Sequence, residues 1–158
     1  MAQPVENFIR KAGLMAGSCN IVLNSLFSWL GNMSRADVQQ GSAAVDTVIT
    51  SIIMSLLMTL FISADTRRAL KAGTIALPIT DLSAGRLLRR LPARPWKLGL
   101  LLGLGVALVL TSCMMGIFFL FGVTALSFFA FLSIKVVYSM LLGYAVARWV
   151  ILRQLLAV

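Results

Sequence analysis

The chain of 158 residues contains no histidine. That excludes bis-histidine haem, histidine-ligated zinc catalysis, and Ser-His or Cys-His nucleophile pairs within one copy. Acidic residues are nearly as scarce, with only five Asp and Glu in all. No constellation of a nucleophile, base and orienting group is recognisable, so no enzyme activity and no cofactor are expected. Cysteine is limited to Cys19 and Cys113, with no CxxC spacing, and both read as small core residues. The apolar run follows Cys19 instead of preceding it, so neither a lipoprotein site nor a cleavable signal is expected. Charge of any kind is rare: 12% of residues carry it, against 59% that are hydrophobic.

With a mean hydropathy of +0.95, such a chain lacks the charges needed to cover a water-soluble domain of its size. The composition predicts an integral membrane protein, with residues 1–158 forming a single membrane domain. The net charge of +9 would point to nucleic acid in a soluble protein. Here the basic residues border apolar blocks, so the bilayer and not nucleic acid is the expected partner.

Four apolar stretches are long enough to cross a hydrocarbon core of about 30 Å at 1.5 Å per helical residue. They run over about 12–31, 43–64, 98–122 and 127–147. Arg10 and Lys11 precede the first, eight Lys and Arg fall between Arg67 and Lys97, and Arg148 and Arg153 follow the fourth. By the positive-inside rule these ends are cytoplasmic. The expected fold is an all-α, integral membrane four-helix bundle with both termini cytoplasmic. Two helical hairpins are joined by a basic cytoplasmic linker, 65–97, in a multi-pass protein of the plasma membrane (the bacterial inner membrane). Trp29, Trp96 and Trp149 all fall at predicted interfaces, as an aromatic belt requires. The hairpins start on the same side, so a duplication would be parallel, but the halves share little residue identity.

The linker segment Asp81 to Leu91 offers an Asp cap and interleaves Leu87, Leu88 and Leu91 with Arg86, Arg89 and Arg90. This suits a short helix lying on the membrane, ended by Pro92 and Pro95. Arg86, Arg89, Arg90 and Arg94 are the candidates for contact with anionic lipid or a partner, although setting topology would by itself account for their charge.

Within the spans, small and polar side chains recur every fourth residue. Ala16, Asn20, Asn24 and Ser28 form one such stripe, and Thr47, Ser51, Ser55, Thr59 and Ser63 a second. Lys135, Ser139, Gly143 and Ala147 form a third. A four-residue period keeps each series on one helical face, and such faces pack against protein in a membrane. Gly99 and Gly103, with Gly105, Ala107 and Gly116, offer close approach in the third span.

Lys135 is the costly member of this pattern, since a Lys at a helix centre opposes insertion by roughly 2.5 to 3.5 kcal/mol. Its stripe directs it towards the bundle interior or an oligomer seam. Counted from the outer ends of the apolar stretches, Asn24 and Ser51 match its depth and Ser55 lies one turn deeper. Asp46, the one acidic residue within a predicted span, lies several residues shallower and is reached only by an outstretched Lys stem. The candidate polar intramembrane site is therefore Lys135 with Asn20, Asn24, Asp46, Ser51 and Ser55. Either Lys135 is a paired ammonium or it is a neutral, proton-titrating amine.

Three functions compete. In the first, a transport- or channel-like protein passes anionic or neutral polar solutes along the Lys135 site. In the second, an accessory or assembly subunit docks its small and polar faces onto a larger membrane complex, or forms a homo-oligomer. A lipid-modifying enzyme is the third, with no base in sight beyond Asp65 or Asp81. Small four-span exporters are a loose comparison, but the glutamate of their first span has no counterpart between Ala12 and Gly31.

Overall fold

We describe residues 4–32, 37–75, 88, 90–92 and 94–156 of a computed structural model of the chain. Four long helices dominate: α1 (Val5–Asn32), α2 (Gln40–Lys71), α3 (Pro95–Phe121) and α4 (Phe128–Leu155). Each is long and apolar enough to cross a membrane. Two short strands, β1 (Asp37–Gln39) and β2 (Ala125–Ser127), precede α2 and α4. Asp81 to Leu87 and Arg89, hence the predicted linker helix and the candidates Arg86 and Arg89, lie outside the described residues. Arg90 and Arg94 are exposed.

The helices overrun the apolar stretches at the basic end. α1 begins at Val5 and so includes Arg10 and Lys11, α2 continues to Lys71, and α4 extends past Arg148 and Arg153. Apolar length measures the slab to be crossed, whereas Arg and Lys are good helix formers that let the hydrogen-bonded ladder continue beyond it. The stops have local causes. Gly73 and Gly122 take the left-handed conformation at φ 64° and 62°. Past them, the Thr74 amide returns to the Ala69 carbonyl at 3.1 Å and the Val123 amide to Phe118 at 2.9 Å, closing two Schellman caps. Pro95 opens α3 at a position whose amide has no helical partner to lose.

The ribbon was not legible in the sequence. β1 and β2 pair antiparallel, with Asp37 opposite Ser127, Val38 opposite Leu126 and Gln39 opposite Ala125. The Gln40 amide also donates to the Thr124 carbonyl at 3.1 Å, so backbone groups that would be orphaned at the helix starts find partners across the two turns. Val38 is buried with Ala43, Phe118 and Phe131 in a small apolar cluster that ties the turns together.

The hairpin helices are connected pairs but not the closest-packed pairs. α1 packs chiefly on α4 and α2 chiefly on α3, while α2 and α4 join the two units. Small residues decide this. A Cβ on Gly143 would stand 2.7 Å from the Gly17 Cα, and one on Gly103 would stand 2.9 Å from the Ile52 Cα. The backbones therefore approach as closely as glycine permits. Every member of the three predicted stripes is buried, and lipid-scale apolar residues such as Phe119, Leu120 and Leu141 point outward.

Cys19 and Cys113 are free and exposed, which corrects their reading as core residues. In a chain whose outer surface is as apolar as its interior, an apolar neighbourhood in sequence does not mean burial in protein.

Candidate functional site

The site lies in the half of the bundle nearest the ribbon, where α1, α2 and α4 converge. Phe131, Lys135, Tyr138 and Ser139 of α4 face inward together, being three or four residues apart or adjacent. Lys135 is fully buried, one of the largest side chains with no solvent exposure. Its ammonium pairs with the Asp46 carboxylate of α2. It also donates to Ser28 Oγ at 2.5 Å, Asn24 Oδ1 at 3.2 Å and Thr50 Oγ1 at 3.5 Å. Beneath it the Phe131 ring centroid lies 5.2 Å away, within cation–π range.

A second layer of hydrogen bonds fixes these acceptors. Asn24 Nδ2 donates to Ser139 Oγ at 2.5 Å and to the Tyr138 hydroxyl at 3.1 Å, which leaves its Oδ1 for the ammonium. The hydroxyls of Tyr138 and Thr50 lie 3.5 Å apart. Thr50 Oγ1 donates to the Asp46 carbonyl at 2.6 Å, so its lone pairs remain directed at Lys135. One turn further in, Asn20 Nδ2 donates to the Ser139 carbonyl at 2.7 Å and clamps α1 to α4.

Asp46 is accordingly the direct partner. The ribbon explains why counting from the apolar stretch placed it too shallow. Paired strands level the starts of α2 and α4, so Asp46 lies six residues past Gln40 and Lys135 seven past Phe128. At 1.5 Å per residue their depths differ by about 1.5 Å. The helix begins a turn before hydrophobicity does, because Gln40, Gly41 and Ser42 are already in the ladder.

Ser51 and Ser55 do not join Lys135. Both are buried, and neither hydroxyl has a hydrogen-bond partner among the described residues. The stripe that contains them turns towards α3: Ser55 Cβ and Thr59 Cβ lie within 3.2 Å of positions that a Cβ on Gly103 or Gly99 would take. The face of α2 that meets Lys135 is one residue round, at Asp46 and Thr50. Thr50 is the group that sequence reasoning missed, and its position four after Asp46 is the signal that carries it. Ser28 belongs to the α1 stripe, and the structure adds it to the site. Tyr138, adjacent to Ser139, had no signal of its own.

Among the described residues, the site reaches the surface at Asp46. A pocket of about 350 Å³ between the end of α1 and the start of α2 is lined by Gly31, Asn32, Gly41, Ser42, Val45 and Asp46. The Asp46 side chain is 21% exposed there, while Lys135 behind it has no exposure. In the other direction lies the tight α1–α4 crossing at Gly17 and Gly143. No group of three or more Cys, Asp or Glu that could hold a metal ion occurs among the described residues.

Compared with family models, curated proteins and solved structures, the chain matches no family, no curated protein and no solved fold.

Proposed function

We propose that this is a non-enzymatic, transport- or channel-like multi-pass protein of the plasma membrane, with its termini and basic linker in the cytoplasm. Its working element is the Lys135–Asp46 pair, captured in a state accessible from the outer side alone. One observation carries this reading. An ion pair with three further oxygen partners is buried on the Lys side, while its Asp46 carboxylate is partly exposed and lines a surface pocket. Intramembrane charges usually mark ion or substrate pathways, and a pair that one turn of helix motion can separate is a two-state element. Small anionic or neutral polar solutes are the favoured cargo: the pocket presents the Asp46 carboxylate first, and once the pair parts an anion can replace Asp46 at the Lys135 ammonium, which repels a cation from the buried part of the path.

The test uses proteoliposomes under a potassium diffusion potential, with entrapped dyes that report protons, chloride and formate. The parent is expected to pass at least one of these above empty vesicles, and Lys135→Met to reduce the flux at least tenfold. Equal flux through parent and Lys135→Met sinks the proposal.

A second reading, an accessory or assembly subunit, is favoured by α3. Only 11% of its most apolar window is buried within the chain, against 50% for α2. On that reading α3 docks onto a larger complex or a second copy, although Lys135 already has a carboxylate of its own chain. Solubilisation from the native membrane as a lone monomer would count against it. Silent vesicles together with a fixed co-purifying partner would favour it over transport.

A further inference from the structure

Two neighbouring clefts run along the outer face of α4 and share Ala145 in their linings. The one nearer the basic end, about 430 Å³, is lined by Leu88, Tyr144, Ala145, Arg148, Trp149 and Leu152. The other, about 500 Å³, lies between α3 and α4 and continues from Ala145 past Leu141 to Tyr138, against Leu101 and Val109 of α3. Helix α3 stands off from α4 here, and no atom lies within 4 Å of a Cβ built on Gly105.

Taken end to end, the two clefts are amphipathic. At one end it offers a guanidinium and an indole, and beyond Ala145 its walls are almost wholly aliphatic. No Asp or Glu lines either part. Arg148 is exposed and makes no hydrogen bond among the described residues, in contrast to Arg153, which is buried and donates to the Leu91 carbonyl at 3.0 Å. The ten steps of helix from Arg148 to Tyr138 span about 15 Å, half of a hydrocarbon core of about 30 Å. The two clefts together are thus one leaflet deep, with an apolar part of about 10 Å from Ala145 to Tyr138 and with Trp149 beside Arg148 at the level where aromatic side chains meet headgroups.

We infer that the two clefts together bind one anionic phospholipid of the cytoplasmic leaflet. Its phosphate sits on Arg148 beside Trp149, and an acyl chain lies between α3 and α4. The inference rests on the membrane placement proposed above and not on any role of Lys135. It also gives part of the exposed α3 face a lipid occupant in place of a protein.

Full-length protein reconstituted in vesicles of equal phosphatidylglycerol and phosphatidylcholine, then released for native mass spectrometry, tests it. One phosphatidylglycerol is expected to be retained in preference to phosphatidylcholine. Arg148→Gln should lower that preference roughly five-fold, the effect of one basic side chain at an anionic surface. Ala145→Phe, which enlarges the side chain that both clefts share, should lower retention of both lipids. Arg148→Gln changes an exposed side chain and decides the matter if Ala145→Phe does not fold. Arg90→Gln/Arg94→Gln should leave the preference unchanged, as should Lys135→Met even where it abolishes flux. Equal retention of both lipids by the parent overturns the inference, as does an Arg148→Gln preference equal to the parent's. A loss that follows the linker arginines instead of Arg148 also overturns it. Failure of the protein to float with the vesicles would overturn the membrane placement and this site with it.

Discussion

At Lys135 an ammonium is made compatible with an apolar bundle by local supply. One carboxylate neutralises it, and the oxygens of Ser28, Asn24 and Thr50 receive the rest of its donor capacity. The two charges are unequally exposed, so their removal is unequally costly. Asp46→Asn leaves a fully buried ammonium without its counter-charge and is expected to destabilise by about 3 kcal/mol. Lys135→Met leaves a carboxylate that already reaches the outer pocket, and should cost less. The double variant should return to within about 1 kcal/mol of the parent, since a buried pair is often neutral relative to apolar replacements. Urea unfolding in detergent micelles, followed by circular dichroism, checks the order. Equal losses from both single variants would show that the pair is not asymmetrically buried.

Asn24 holds the next layer. It accepts from Lys135 and donates to Tyr138 and Ser139. Asn24→Leu should therefore cost more than Tyr138→Phe, which removes one hydroxyl and is expected to cost about 1 kcal/mol. Asn24 was legible as a candidate from its stripe and depth. Thr50 was legible only through Asp46, four residues before it, and Tyr138 was not, because it lies one position off its stripe and only packed neighbours show that it meets Asn24 and Thr50.

For the helices, glycine position matters more than glycine number. A methyl on Gly143 would press on the backbone of Gly17 and Ala16, at 2.7 to 2.9 Å, and backbone cannot swing aside. A methyl on Gly105 or Gly116 meets nothing within 4 Å. Gly143→Ala is accordingly expected to destabilise by about 1 to 3 kcal/mol through overpacking. Gly105→Ala should be neutral, or stabilise by up to about 1 kcal/mol through helix propensity. Thermal unfolding of the purified variants separates these outcomes, and a Gly143→Ala melting temperature equal to the parent's would refute the close α1–α4 crossing. The packing faces themselves were readable, because a four-residue period is a property of one helix alone. Their pairing was not: α1 could have met its hairpin neighbour α2, and shape complementarity at Gly17 and Gly143 is a relation between two helices.

Among the described residues, every basic side chain but Lys135 lies towards one end, and the ribbon closes the other. If the positive-inside reading holds, Gln39→Cys in a Cys19→Ala/Cys113→Ala background reacts with an impermeant maleimide in intact cells, and Lys71→Cys reacts only after lysis. Both positions are exposed, and both native cysteines are free and exposed, so the background should fold. The reverse labelling pattern would invert the orientation and place the Asp46 pocket inside.

Composition and periodicity by themselves determined the number of long apolar helices, the faces that α1, α2 and α4 bury and the inward direction of Lys135. On α3, by contrast, only Gly99, Gly103 and Ala107 of the expected small residues are buried, and Gly105 and Gly116 meet nothing within 4 Å. The features that were determined follow from how one segment partitions between apolar and polar surroundings, and a segment carries that information locally. The tertiary structure alone decided that α1 meets α4 and that α2 meets α3. It also decided that the ribbon sets Asp46 level with Lys135, and that the pair opens towards one end. Those outcomes depend on backbone hydrogen bonds between distant turns and on contact between helices, energies that exist only once separate parts of the chain have met.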